Sequence, residues 1–291
     1  MEGKNEEGTA TNRVTIVTDS AANLPDELVR QYAIHVLPLK IIWRGQVLRD
    51  GIDLSGEAFY RRLAEDNYTP TTSAVSTGEF LKTFRHLRET HDAVVTILLA
   101  RELSASYGSA VIAQQMMGDP NVQVIDGRTA TMAQGFVVLE AARTAQSGAP
   151  VGEVAARAQT IISRVHVLGI VETLEYLRRT GRIGAAAAFL GSVLQFKPII
   201  GIPPGNGTVV GLERPRTWKQ AIARMLDLVA ERVGDRPLHV AVGHGGRPQA
   251  ARALNNELLH RFDVREHYIT HFTPVLGAHA GPVLSVSFYA D

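Results

Sequence analysis

The chain has no cysteine among its 291 residues. That excludes disulfides, thiolate nucleophiles, iron-sulfur clusters and cysteine-based zinc sites, and it fits a cytoplasmic location. An excess of charge of either sign is also missing: 30 Lys and Arg stand against 29 Asp and Glu, a formal net charge of +1. No overall field therefore favours phosphate backbones or anionic membranes, so nucleic acid is not expected as a partner. No apolar run approaches the roughly 18 residues of a membrane span. The opening stretch MEGKNEEGTATNR has neither the basic n-region nor the apolar h-region of a secretory signal, and residues 1–12 read as a flexible tail. Several catalytic signatures are absent as well: there is no GxxxxGK[ST] loop, no GxSxG elbow, and the glycines Gly243, Gly245 and Gly246 miss the GxGxxG spacing.

What is present is enough apolar material, 45% of the residues, for one large core or two joined ones. RVTIVTD (13–19) reads as a buried strand, and Pro25 with Asp26 and Glu27 marks a helix start. The strand-then-helix pattern returns at 93–99 followed by a helix from about 105, and at 122–126 followed by a helix over about 129–146. Three such units predict a mostly parallel sheet flanked by helices. A boundary falls near 165, giving an N-terminal α/β domain over 13–165 and a C-terminal one over 166–291. In the second, KPIIGI, TVVGLE, PLHVAVGH, VREHYITHFTPV and VLSVSFYA read as strands of a mixed layer, with helices near 217–233 and 247–261.

Hydroxyl side chains gather in two places. In TPTTSAVSTGEF (69–80), Ser76 and Glu79 have capping-box spacing, which leaves Thr72 and Ser73 upstream on a loop at the carboxyl ends of the strands, where open α/β sheets bind ligands. In LLARELSASYGSA (98–110), Ser104 and Ser106 open a helix whose first amides suit a carboxylate or phosphate, or Ser104 simply caps it. His279, between glycines before the last strand, is either a turn residue or a further donor to the same anion. His267 and His271 are four apart, but on a strand that separates them by roughly 13 Å, so a shared metal is not expected. Residues 184–196 are apolar nearly all round, and a helix of that kind is buried or lines a cavity; thirteen residues span about 20 Å, close to an extended C16 chain.

These segments resemble, in order, those of the DegV family. VTDSAANLP is similar to its opening strand and TDS motif, TTSAVSTGEF to its TSQPS loop, LARELSASYGSA to its SSxLSGTYxSA segment, LEYLRRTGRI and FKPIIGI to LxYLxKGGRI and IKPIL, and GAHAGPVLSVSFY to its terminal GxHxGPG strand. The chain departs from the pattern at Ala105, Thr180 and Val283, where the family has glycine. The resemblance implies a two-domain fatty-acid-binding protein with a long-chain (C16–C18) acyl tail buried between the domains. Thr72, Ser73, Ser104, Ala105 and His279 would surround the carboxylate, and Ile183, Ala187, Phe189, Leu190, Leu194 and Phe196 the tail. It further implies a partner fatty acid kinase that phosphorylates the held carboxylate for phospholipid synthesis, with Arg178, Arg182, Arg214 and Arg216 in the docking surface. No cofactor of its own and no membrane span are implied, and a monomer is the default. Two other readings stay open: a lipid sensor or carrier that meets no kinase, and a serine-dependent acyl hydrolase or transferase using Ser104, His279 and either Asp19 or Asp126.

Overall fold

The computed structural model describes residues 13–66, 68–190 and 196–291. The expected tail at 1–12 and Leu194 lie outside them.

Along the chain, β1 (Val14–Asp19) leads through a single 3-10 turn to α1 (Asp26–Gln31) and β2 (His35–Leu37). A hairpin of β3 (Lys40–Trp43) and β4 (Gln46–Arg49) precedes α2 (Gly56–Glu65) and β5 (Thr71–Ser73). Then come α3 (Thr77–Arg88), β6 (Ala93–Leu98), α4 (Ser106–Met117), β7 (Val122–Asp126), α5 (Thr131–Gln146) and α6 (Val151–Ile162). The second half runs β8 (His166–Val171), α7 (Glu175–Arg179), a 3-10 segment (Gly184–Phe189), β9 (Ile199–Ile202), β10 (Val210–Glu213), α8 (Trp218–Val233), β11 (Leu238–Gly245), α9 (Pro248–Arg261), β12 (Val264–His271), α10 (Pro274–Ala280) and β13 (Val283–Ala290).

The fold is α/β. Strands β2-β1-β6-β7 form a parallel sheet, β4-β3-β5 a small antiparallel one, and β10-β9-β8-β13-β11-β12 a mixed sheet of six in which only β11 and β12 run parallel. The central strands β1 and β6 are buried along nearly their whole length and read as continuous apolar runs. The Ser76–Glu79 capping box forms in both directions at the start of α3.

The helix that is buried all round is α5. Thirteen of its sixteen residues are buried, from Thr131 to Ala145, because it lies between the parallel sheet, which it meets at β1 and β6, and the mixed sheet, which it meets at β8, β11 and β13. Polar ties also fasten the two layers: Asn23 donates to the Thr270 hydroxyl at 2.6 Å, and Arg143 clamps Glu266 with two bonds of 3.0 and 2.6 Å. Burial alone would raise the Glu266 carboxyl, but hydrogen bonds from His239, Arg143 and Tyr268 hold it well below the usual range.

The segment from 184 corrects the helix expected over 184–196. Over Gly184–Phe189 it is a 3-10 helix, and only Ala186 in it is buried. At three residues per turn, side chains three apart eclipse, so Ile183, Ala186 and Phe189 form one inward stripe while Ala185, Ala187 and Ala188 face out. Gly184 is held at φ +50° against the Val209 backbone, where a β-carbon would come within 2.5 Å of the carbonyl.

Candidate functional site

A cavity of about 430 Å³ lies between the carboxyl edge of the parallel sheet and one face of the mixed sheet, within the roughly 300–1,000 Å³ usual for small-molecule sites. Strand alternation makes its floor. Val167, Gly169 and Val171 of β8 point into it while Leu168 and Ile170 point to the opposite core. Ile200 and Ile202 of β9 and Val283 and Ser285 of β13 extend the same face. The roof comes from segments that follow parallel strands: Leu39 after β2, Leu99 and Leu103 after β6, Ala130 and Thr131 after β7; Phe272, Val275 and Leu276 add to it from α10 and the loop before it.

Most of the polar lining gathers at one end. Thr72 on β5 sets its hydroxyl 3.0 Å from Nε2 of His279, which sits in the last turn of α10. Pro274 opens that helix and Gly281, at φ +64°, closes it. Burial, reinforced by the positive charge of Arg182, lowers the His279 pKa to about 4, so the ring is neutral near pH 7. Nδ1 of His279 is buried and without a hydrogen-bond partner. Arg182 lines the cavity and is fixed by bonds from Nε to the Leu103 carbonyl at 3.1 Å and from Nη1 to the Thr180 carbonyl at 2.5 Å.

Ser104 precedes α4, whose N-cap is Ala105, and accepts from the Ser106 amide at 3.2 Å. The buried Ser106 hydroxyl in turn accepts from the Ser104 hydroxyl at 3.1 Å and from the Val75 amide at 3.3 Å. Thr72 and Ser73, expected on a loop, lie on strand β5, and the Ser106 side chain fixes the segment that follows this strand to the loop carrying Ser104. A neutral imidazole, three hydroxyls and a guanidinium around one apolar cavity can take up a single carboxylate by hydrogen bonds and charge. No aligned triad forms: Asp19 accepts from the Leu99 and Ala21 amides and from Gln134, and Asp126 from the amides of Arg101 and Arg128.

The cavity thus brings together Thr72, Ser73, Ser104, Ala105 and His279 and adds Arg182, which was expected on a docking surface. Ile183, Ala187, Phe189, Leu190 and Phe196 are not on its wall. Ala187 and Leu190 are exposed, and Phe189 lies over Gly211 with Arg214 5.0 Å from its ring. The apolar wall of the cavity is the strand face instead. The signal for that face was a glycine in the interior of β8, Gly169, opposite Ile200, since glycine in a strand interior marks close approach of another group. Arg178 pairs with Glu175 at the surface, and Arg214 and Arg216 are exposed. His267 and His271 lie on β12; among the described residues no three His, Cys, Asp or Glu are grouped to hold a metal ion, and no helix is long and apolar enough to cross a membrane.

Comparison with known proteins gives a consistent picture. A model of the DegV family, described as uncharacterised proteins, matches residues 13–291. Protein DegV of Bacillus subtilis is 33% identical over 270 residues, covering 92% of this chain and 95% of that one. A DegV domain-containing protein of Mycobacterium tuberculosis is 36% identical over 271 residues, covering 92% and 94%. Among solved structures, a DegV family protein from Thermus thermophilus described by its fatty acid binding superposes with a TM-score of 0.91 at 29% identity, covering 96% of this chain and all of that one. Bacillus subtilis DegV, described as a fatty acid binding protein, superposes with a TM-score of 0.86 at 32% identity, covering 96% and 100%.

Proposed function

This chain belongs to the DegV family, and from that premise we propose that its cavity holds one long-chain fatty acid of the C16–C18 class, tail on the strand face and carboxylate at Thr72, Ser73, Ser104 and His279. The observation that carries the reading is the polarity of the cavity itself: one polar end, and an otherwise largely apolar lining that continues along alternate residues of β8, β9 and β13. Val167 and Val171, four residues apart, span roughly 13 Å of floor. Burying a C16 chain at about 0.8 kcal/mol per methylene contributes roughly 11 kcal/mol before association costs. Each hydrogen bond to the carboxylate adds about 1.5–3 kcal/mol. The tail therefore dominates affinity, and the polar end sets orientation. A bound carboxylate would also raise the His279 pKa from its low value, so binding takes up part of a proton.

The finer reading is that the held carboxylate is presented to an ATP-dependent fatty acid kinase, which forms the acyl phosphate for phospholipid synthesis. The absence of a GxxxxGK[ST] loop from the sequence and the siting of the polar groups at one end of the cavity support that division of labour. Arg178, Arg214 and Arg216 would meet the kinase surface, and Arg182 would face the carboxylate and the new phosphate. A cytoplasmic monomer with a domain boundary near 165 completes the proposal.

Mass spectrometry of an organic extract from the purified, denatured protein tests the binding step; about one long-chain fatty acid per chain is expected, and palmitate added to delipidated protein should restore it. Finding no endogenous lipid and no uptake of added palmitate would sink the proposal. Acyl-phosphate formation with the same organism's kinase and ATP, dependent on this protein, tests the second step.

A further inference from the structure

The cavity has a second polar spot away from the Thr72–His279 end. On β13, Val283 pairs with Val171 of β8, Ser285 with Gly169 and Ser287 with Val167. Moving from Val283 to Ser287 therefore travels the length of the floor, roughly 13 Å, away from the α10 end that carries His279. Ser285 lines the cavity midway, its hydroxyl donating to the Gly243 carbonyl at 3.3 Å. At the far row, Thr131 also lines the cavity, with its hydroxyl 2.9 Å from that of the buried Ser287.

Hydroxyls on an apolar tail wall are out of keeping with a plain hydrocarbon, because a saturated chain offers them nothing. Thr131 carries a second oddity. It is β-branched yet held at φ +59°, a left-handed conformation that is a genuine outlier and strained for such a residue. Asparagine or glycine would sit there with less strain, but neither would place a hydroxyl beside that of Ser287 at the cavity wall.

The hydrogen-bond capacity left over at this spot can be counted. Ser285 gives its one proton to Gly243 and keeps lone pairs for a donor. In the Thr131–Ser287 pair one proton lies between the two oxygens, so the pair retains one O–H to give and lone pairs to accept. An alcohol, which donates one proton and accepts another, matches that capacity, whereas an anion would find only one donor there.

Building on the fatty-acid reading above, we propose that the cavity accepts acyl chains bearing a hydroxyl in the middle or far part of the tail, recognised by Ser285 and by the Thr131–Ser287 pair. The test uses the delipidated full chain and measures dissociation constants for hexadecanoic acid and for hexadecanoic acids with one hydroxyl near the carboxylate, at mid-chain or toward the methyl end. The mid-chain or distal isomer should bind at least as well as the plain acid, and about tenfold better than the isomer hydroxylated beside the carboxylate, the scale of one or two hydrogen bonds gained. Ser285→Ala and, separately, Thr131→Val should flatten that preference. The ratio of hydroxylated to plain ligand is read within each variant, so a general loss of affinity or stability divides out. A uniform penalty for every hydroxyl position, or a preference unchanged in both variants, overturns the inference while leaving fatty-acid binding intact. Failure of the plain acid to bind removes the underlying reading and the inference with it.

Discussion

The two faces of the six-stranded sheet are built from the same strands and come out differently. On one face Leu168, Ile170 and Ile199 meet Leu284, Val286 and Phe288, together with Met225 and Val229 of α8 and Leu254 and Leu258 of α9, and all ten are buried in a closed core. On the other, Val167, Gly169, Val171, Ile200, Val283 and Ser285 leave a hollow. Alternation along a strand decides which residue sees which side; side-chain volume and the opposing layer decide whether the side fills. Helices laid flat close the first face, whereas the second meets loop ends and the first turn of α5, with Gly169 and Ser285 too small to reach across. Close packing is thus the default, and the hollow is where small residues were placed against it.

That contrast can be broken from either side. The largest effect is expected on the sealed face: Ile170→Ala should lower unfolding free energy by about 2–5 kcal/mol in urea titrations, since it removes a buried side chain and leaves a void, with palmitate affinity at low temperature unchanged. A large loss of affinity at little cost in stability would mean that the faces are not independent. Next comes filling of the hollow. A β-carbon on Gly169 would make only ordinary contacts, 3.7–3.9 Å from Ile200, Val283 and Ser285, so Gly169→Phe should fold, and calorimetry should show the melting temperature held. Displacing about four methylenes of the ligand should weaken palmitate roughly 100-fold; unchanged affinity would place the tail elsewhere.

At the polar end the effects are smaller. His279→Ala should weaken palmitate about tenfold, the scale of one hydrogen bond to a charged group, read by competition with a fluorescent fatty acid; palmitol, which lacks the carboxylate, should lose little. A separate comparison is the response of stability to pH. His279 has its folded pKa lowered to about 4 against roughly 6.5 when unfolded, so the unfolded chain binds protons first. The stability contributed by the neutral ring is complete above about pH 6.5 and is lost as pH falls toward 4. The buried Asp19, raised by desolvation to about 6, acts in the opposite sense, losing stability as pH rises from about 4 to 6. The difference between wild type and His279→Asn across pH 4–7 isolates the histidine share, and palmitate should shrink it, because a carboxylate beside the ring favours its protonated form.

The same contrast shows how far residues alone carried the reading. The parallel units, the Ser76–Glu79 capping box and the strands of the mixed sheet were legible, since each rests on local spacing and period. Thr72, Ser104 and His279 could be singled out as polar groups near strand ends, and the cavity does gather them. The apolar wall of the cavity was not found, because length and apolar character at 184–196 say nothing about partners. A run of alanines asks for little volume and settles as a short 3-10 stripe, while the helix buried all round, α5, has Gln134 and Glu140 in its sequence. Gln134 donates to Thr18 and Asp19 and Glu140 pairs with Arg157, partners distant in sequence that spacing cannot show. The helix carrying His279 was hidden for a simpler reason: its seven residues sit between two strands, marked only by Pro274 and Gly281.

A crystal structure of the delipidated protein recombined with palmitate tests the central claim most directly. Tail density along Val167, Gly169 and Val171, with the carboxylate within hydrogen-bond reach of Thr72 and His279, is the expected result; an empty hollow with the lipid bound elsewhere, or a carboxylate buried at the opposite end, would contradict it.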